Sequence, residues 1–137
     1  MEYSYSKDIK TDFKLIEQKV IRSLSEVGFG ILTEINIKNA FKEKLNLNYK
    51  NYKILGACNP SLAHEALSYE YSIGILMPCN ILILDNEDGT IKVVFPRSEN
   101  ILEATKNDKV RSLSKRVDKL LKTAFDSISW FLLFQRY

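Results

Sequence analysis

An Asp-Gly pair between two apolar runs is the feature that most constrains how this chain can fold. The first run covers residues 73–84 and is interrupted by Pro78, and the second covers residues 91–95. The loop between them, residues 85–90, contains Asp88-Gly89, and Asp-Gly is a strong hairpin signal because both residues tolerate positive φ. The sequence therefore predicts two antiparallel strands, the first of them bent or bulged at the proline.

Apolar residues at helical spacing predict four helices around this hairpin. The first covers residues 11 to about 27, with Thr11 as its expected N-cap and Gly28 at its C-terminal cap. A short second helix covers residues 37–45, and a third begins at Asn59-Pro60, because Asn caps helices and Pro is favoured in their first turn. The last helix is long and follows an apolar stripe at Val110, Leu113, Val117, Leu120, Ala124 and Ile128.

Three short β-rich runs complete the predicted elements. They cover residues 3–6, 31–35 and 52–58. A chain of 137 residues suits one domain. We therefore expect a single domain over residues 1–128, followed by an apolar C-terminal extension over residues 129–137.

Composition and charge exclude several classes of protein. The apolar share of 45% and the charged share of 27% are those of an ordinary globular protein, which excludes a disordered, collagen-like or disulfide-dense chain. No apolar run reaches 18 residues and residues 1–10 are polar, so we expect a cytoplasmic protein. The net charge is −1 over residues 1–96 and +4 over residues 97–137, so the net positive charge comes from the last segment alone and no nucleic-acid partner is expected.

Two Cys-Asn steps, each beside a proline, are the strongest candidates for a functional site. They are Cys58-Asn59, at the end of a predicted strand, and Cys79-Asn80, just after the bend in another. Cys58 would precede a helix N-terminus, where backbone N–H groups lower a thiol pKa. One interpretation is a small pocket lined by all four side chains. The alternative is that the cysteines are buried small hydrophobes and the asparagines are caps.

His64 and Glu34 are two further candidates for the same ligand-binding pocket. His64 could complete a metal set with Cys58 and Cys79, but the chain lacks the short ligand spacing of metal sites, so we expect no metal. Glu34 lies in a predicted strand and could face the pocket or the solvent. Nucleotide-binding glycine loops and the GxSxG elbow are absent, so the sequence identifies neither catalytic residues nor a cofactor.

Several sequence segments of the chain resemble the domain-of-unknown-function 302 family in their residues, order and spacing. The resemblance covers roughly residues 3–126 and is carried by residues 28–35, 41–45, 52–63 and 73–80. It implies a small α+β domain with helices against a mostly antiparallel sheet, paired as a homodimer, but no established activity. The family's motif residues fall on Cys58, Asn59, Pro60, Cys79 and Asn80. The basic last helix and the aromatic tail depart from the family pattern.

These observations lead to one functional hypothesis and two alternatives. The hypothesis is a domain that binds a small ligand, or senses thiol-reactive species, through a pocket at Cys58 and Cys79. One alternative is a thiol-dependent enzyme that uses Cys58 as nucleophile or sulfur carrier. The other is a structural homodimerisation module without a ligand, which is consistent with the run 73–84 because so apolar a strand needs cover on both faces.

The tail raises a separate question of partners. Residues 130–134 are five consecutive apolar residues, so they cannot all face one side of a helix. We expect a protein surface to cover them, since burial of each large apolar side chain contributes roughly 1.5–3 kcal/mol. Contact with a membrane surface is the alternative, favoured by the upstream lysines and by Arg136.

Overall fold

A five-stranded antiparallel sheet organises the protein, and the computed structural model describes it within residues 2–129. The strand order is β1-β5-β4-β3-β2, and the long last helix is α5. This is the predicted α+β fold in a single domain. In chain order the elements are β1 (Ser4–Lys10), α1 (Phe13–Glu26), β2 (Gly30–Asn36), α2 (Ile37–Leu45), β3 (Tyr52–Cys58), α3 (Pro60–Tyr69), a 3₁₀ helix (Tyr71–Leu76), β4 (Cys79–Asp85), β5 (Thr90–Pro96), α4 (Ser98–Ile101), a second 3₁₀ helix (Leu102–Thr105) and α5 (Asp108–Asp126).

Helices α1 and α5 pack on one face of the sheet, which we call the inner face. The Lys53 ammonium reaches Glu17 of α1 at 2.6 Å, and the Lys7 ammonium reaches the Phe125 carbonyl of α5 at 2.8 Å. Lys7 is paired with a residue of β5, that residue with one of β4, and that one with Lys53. Directly paired residues point to the same face of a sheet, so both lysines are on the inner face. The largest fully buried side chains include Phe95, Ile9, Ile16, Leu24, Leu55, Ile81, Ile83, Leu113 and Leu121.

The hairpin and the helix caps follow the sequence signals closely. The ladder of β4 and β5 continues to Asp85↔Ile91, and Gly89 adopts a φ of +91°, which confirms the Asp-Gly turn. Gly28, just beyond α1, has a φ of +88°, as its predicted place at the helix end requires. The N-cap of α1, however, is Asp12 rather than Thr11, because the Asp12 carboxylate accepts a hydrogen bond from the Leu15 N–H at 2.8 Å.

The prediction of one bent strand over residues 73–84 is wrong in its first part. Tyr71–Leu76 forms a 3₁₀ helix, and β4 begins only at Cys79. Ile73 is buried in the core, whereas Tyr71 and Ile75 are each 86% exposed. A short apolar run does not reveal by periodicity whether it is a strand or a helix. The argument that this whole run needs cover on two faces therefore applies only to the part that lies in β4.

The remaining differences from the sequence predictions concern the two ends of the chain. β1 extends to Lys10, beyond the predicted residues 3–6, because all seven of its residues pair with β5. The short helices after β5 carry no strong sequence signal and were not predicted. Apart from Ser129, the expected apolar extension over residues 129–137 lies outside the described residues. Within residues 2–129 no helix is both long and apolar enough to cross a membrane.

Lys7 links β1 to the C-terminal end of α5. Its side chain is 5% exposed, and its ammonium donates to the carbonyls of Phe125 at 2.8 Å and Ile128 at 2.9 Å. The same ammonium lies 4.2 Å from the centre of the Phe125 ring. The ammonium thus donates to two carbonyls at and just beyond the C-terminal end of α5, where the helix dipole favours a positive charge.

We expect Lys7→Met to lower the free energy of unfolding by about 2–3 kcal/mol, because methionine keeps most of the apolar stem but leaves these carbonyls without a charged donor. Urea denaturation monitored by circular dichroism measures the change. Lys10→Met, at an exposed position of the same strand, is the control and should change stability by less than about 0.5 kcal/mol. Equal effects of the two substitutions would contradict the role assigned to Lys7.

Candidate functional site

A cavity of about 510 Å³ lies where β3 ends, β4 begins and β5 ends. Its walls come from these strands, from α3, from the 3₁₀ helix Tyr71–Leu76 and from α5. Most of the lining is aliphatic or aromatic, and two exposed side chains, Tyr3 and Ile75, also border it. The apolar lining includes Phe29, Ala57, Leu62, Ala63, Ala66, Ile73, Met77, Leu82, Val94, Phe95, Leu102, Leu113 and Val117.

The cavity lies where the sheet forks. β5 remains paired with β1 as far as Pro96, but its ladder with β4 stops at Val94. β4 follows β3 instead and pairs with it from Cys79 onward. Residues 79–81 consequently have no ladder partner on β5, and the space between the two strands opens toward both faces of the sheet.

Four of the six candidate residues from the sequence line this cavity. They are Cys58, Asn59, Cys79 and Asn80. The register pairs Ala57 with Cys79, so regular alternation along β3 directs Cys58 to the other face from Cys79. Both cysteines nevertheless border one cavity, because the cavity spans the open end of the sheet.

Asn59 is a helix cap as well as a lining residue. Its side-chain oxygen accepts a hydrogen bond from the Leu62 N–H at 3.2 Å, and its backbone oxygen accepts one from the Ala63 N–H at 2.9 Å. Its side-chain nitrogen faces Gly28, where an added Cβ would come within 2.9 Å of it. Asn59 therefore fixes the start of α3 beside the cavity, whereas Asn80 is exposed at the cavity border.

Burial raises the pKa of both thiols. For Cys58, burial is the cause, and for Cys79 burial is the largest cause, with the charge of Asp118 acting in the same direction. The Ser98 hydroxyl, 3.7 Å from the Cys79 sulfur, acts in the opposite direction. The expected lowering of the Cys58 pKa at the helix N-terminus is therefore wrong, because removal of the thiol from water dominates. Protonated thiols are weak nucleophiles.

Glu34 and His64 do not line the cavity. The Glu34 carboxylate pairs with the Lys53 ammonium at 2.6 Å, and Lys53 also pairs with Glu17. His64 is an exposed residue of α3. In the described part of the chain, residues 2–129, no group of three or more His, Cys, Asp or Glu side chains is arranged to hold a metal ion.

Sequence reasoning missed two residues here: Ser98, which lines the cavity, and Asp118, which contacts Ser98 from behind the lining. Ser98 is 4% exposed and lines the cavity. Its N–H donates to Asp118 at 2.7 Å, and the Glu99 N–H donates to the same carboxylate at 2.9 Å. Burial raises the pKa of Asp118, although both N–H groups oppose the shift. The one sequence signal was an acidic residue directly after a buried position of α5, and nothing linked it to Ser98.

Fold and site together define an α+β domain with an apolar cavity at the forked end of an antiparallel sheet. Residues 5–128 match the family described as "Domain of unknown function DUF302", and the chain belongs to this family, as the sequence strings predicted.

The fold is also similar to a solved structure, the "Crystal structure of uncharacterized conserved protein DUF302 from Bacillus stearothermophilus". The identity is 23%, the TM-score is 0.84, and the match covers 92% of this chain and 98% of the other. At this identity the likeness establishes the fold alone. A comparison with curated proteins gave no match.

We expect Cys58 and Cys79 to react slowly with iodoacetamide near neutral pH. Their pKa values in the folded protein lie above the ordinary thiol value of 9.0, so the reactive thiolate is a small fraction of each cysteine near neutral pH. Mass spectrometry of alkylation against pH measures this, with Cys58→Ser and Cys79→Ser to assign each signal. The urea-unfolded chain is the control and should react faster at every pH below the folded pKa. Faster labelling of the folded protein at neutral pH would contradict the expectation and favour thiol chemistry.

Proposed function

We propose that this protein binds a small, largely apolar molecule in the cavity that Cys58 and Cys79 line. The observation that carries the proposal is an apolar space of about 510 Å³ within so small a domain. Protein interiors are close-packed and contain few voids larger than a water molecule. Ligand pockets, in contrast, typically measure about 300–1,000 Å³ and are lined mainly by apolar side chains.

The border of the cavity supports an apolar ligand as well. Tyr3 is 70% exposed and Ile75 is 86% exposed, and both border the cavity. Large apolar side chains around a pocket extend its apolar surface outward. A ligand that protrudes from the cavity would cover part of them, and this burial would stabilise the complex.

Non-covalent binding fits the thiols better than sensing or catalysis does. Both of those alternatives require a thiolate, whereas burial raises the pKa of Cys58 and of Cys79. A general base beside either sulfur would relieve this requirement, but His64 is exposed on α3 and does not line the cavity. The thiols then serve as small, polarisable parts of an apolar wall.

The fluorescent probe N-phenyl-1-naphthylamine, which is neutral and apolar, tests the proposal. We expect saturable binding to the native protein and a loss of about fivefold or more in affinity for Ala63→Leu, because the added carbon atoms occupy the cavity. Ala40→Leu is the matched control, since Ala40 is a half-buried helical alanine outside the cavity lining. Thermal melts verify that both variants are folded. Equal binding by the two variants would place the probe outside this cavity.

We propose in addition that two copies pair through the outer face of the sheet, which is the face opposite α1 and α5. A row of directly paired apolar residues crosses four strands on this face: Ile35, Ile54, Leu82 and Val94. Ile35 is 48% exposed, and the other three are partly exposed. A row of this kind can pack against its own copy about a two-fold axis, which is the commonest symmetry of homo-oligomers.

Ile35→Lys should weaken such a dimer, because pairing would then bury an ammonium against apolar side chains. We expect the dissociation constant to rise by about tenfold or more in light scattering over a concentration series. Ile21→Lys is the control, since Ile21 lies on α1 with a similar exposure of 37%. A native protein that stays monomeric throughout the series would contradict the dimer.

A further inference from the structure

The cavity and the apolar row on the outer face share two residues. The row runs from Ile35 on β2 to Val94 on β5 through directly paired residues, so its members point to the same face of the sheet. Two of its members, Leu82 and Val94, also line the cavity. One wall of the candidate ligand site is therefore part of the surface on which we propose that a second copy packs.

The shared residues lie at the edge of the gap between β4 and β5. Leu82 and Val94 form the last pair of the β4–β5 ladder, and residues 79–81, which precede Leu82, pair with β3 alone. Asn80 is two positions before Leu82 and therefore points to the same outer face, where it is exposed and borders the cavity. In a single copy, no paired backbone closes this side of the cavity.

The outer face around the gap carries no charged side chain on the two central strands. Its positions there belong to every second residue of the facing segments of β3 and β4. They are Ile54, Gly56, Cys58, Asn80, Leu82 and Leu84. Burial raises the pKa of the Cys58 thiol, so it too is neutral near pH 7. Two copies of this surface can pack together without burying a charge at the gap, which favours a second copy as the occupant.

We propose that the second copy closes the outer side of the cavity, so that ligand binding and dimerisation strengthen one another. This inference rests on both parts of the proposed function, the apolar ligand and the dimer, and adds the regulation of the ligand site. A ligand bound to a single copy faces water through the gap, whereas in the dimer the partner copy covers it. Affinity then rises because more apolar surface leaves water, and by reciprocity the ligand stabilises the dimer.

The native protein tests the coupling without any substitution. N-phenyl-1-naphthylamine is titrated at two protein concentrations, one well below and one well above the dissociation constant of the dimer found by light scattering. We expect the probe to bind about fivefold more tightly at the higher concentration, which is at the lower end of typical couplings between sites.

Ile35→Lys separates the partner from the cavity wall, because Ile35 belongs to the row but does not line the cavity. At the higher concentration this variant should bind the probe about fivefold more weakly than the native dimer. At the lower concentration both proteins are monomers and should bind it equally. Ile21→Lys, on α1, is the matched control and should behave as the native protein at both concentrations. Thermal melts verify that both variants are folded.

Light scattering measures the reciprocal effect. Saturating probe should lower the dissociation constant of the native dimer by about 25-fold, because each dimer holds two cavities and each contributes the same fivefold factor. The dimer of Ala63→Leu should respond much less at the same probe concentration, since the added carbon atoms occupy the cavity. An equal response of Ala63→Leu would show that the probe acts at the outer surface and would overturn the coupling through the cavity.

Each failure has a distinct meaning. If the probe does not bind, the ligand proposal and this inference both fall, and the dimer is judged by light scattering alone. If the native protein stays monomeric, the dimer and this inference fall while ligand binding stands. If the protein dimerises and binds the probe with the same affinity at both concentrations, only the coupling is overturned. Weaker binding by the dimer would also overturn it, because the partner would then obstruct the cavity instead of completing it.

Discussion

The parting of β5 from β4 is the constraint on which the site depends. At this end β5 pairs only with β1. Their ladder runs to Pro96, and the next N–H, that of Arg97, donates to the Tyr3 carbonyl at 2.8 Å. Proline has no N–H to donate toward β4. Residues 79–81 then pair with β3 alone, and the gap between the diverging strands becomes the cavity.

The other side of the fork is held by close packing around a glycine. Gly56 of β3 lies between Thr33 of β2 and Pro78, and an added Cβ would collide with the Thr33 hydroxyl and come within 2.8 Å of the Pro78 ring. The segment before β4 therefore packs directly against β3. With β4 fixed to β3 and β5 fixed to β1, neither strand can move across to close the gap without loss of paired backbone.

The sequence predicted the parts of this structure that depend on local signals. The Asp-Gly hairpin, the Asn59-Pro60 helix start and the apolar stripe of α5 each depend on a few adjacent or periodic residues, and all three are present. The two Cys-Asn steps also lie at the cavity, because each is at the end of a strand or beside the start of the next element.

What the sequence could not reveal depends on distant partners. The apolar run at Tyr71–Leu76 forms a 3₁₀ helix, but a short apolar run has no periodicity that distinguishes a helix from a strand. The contact of Ser98 with Asp118 joins positions twenty residues apart and has no local signature. The thiol pKa depends on how much water the fold removes around each sulfur, so a helix N-terminus next to Cys58 was an incomplete guide.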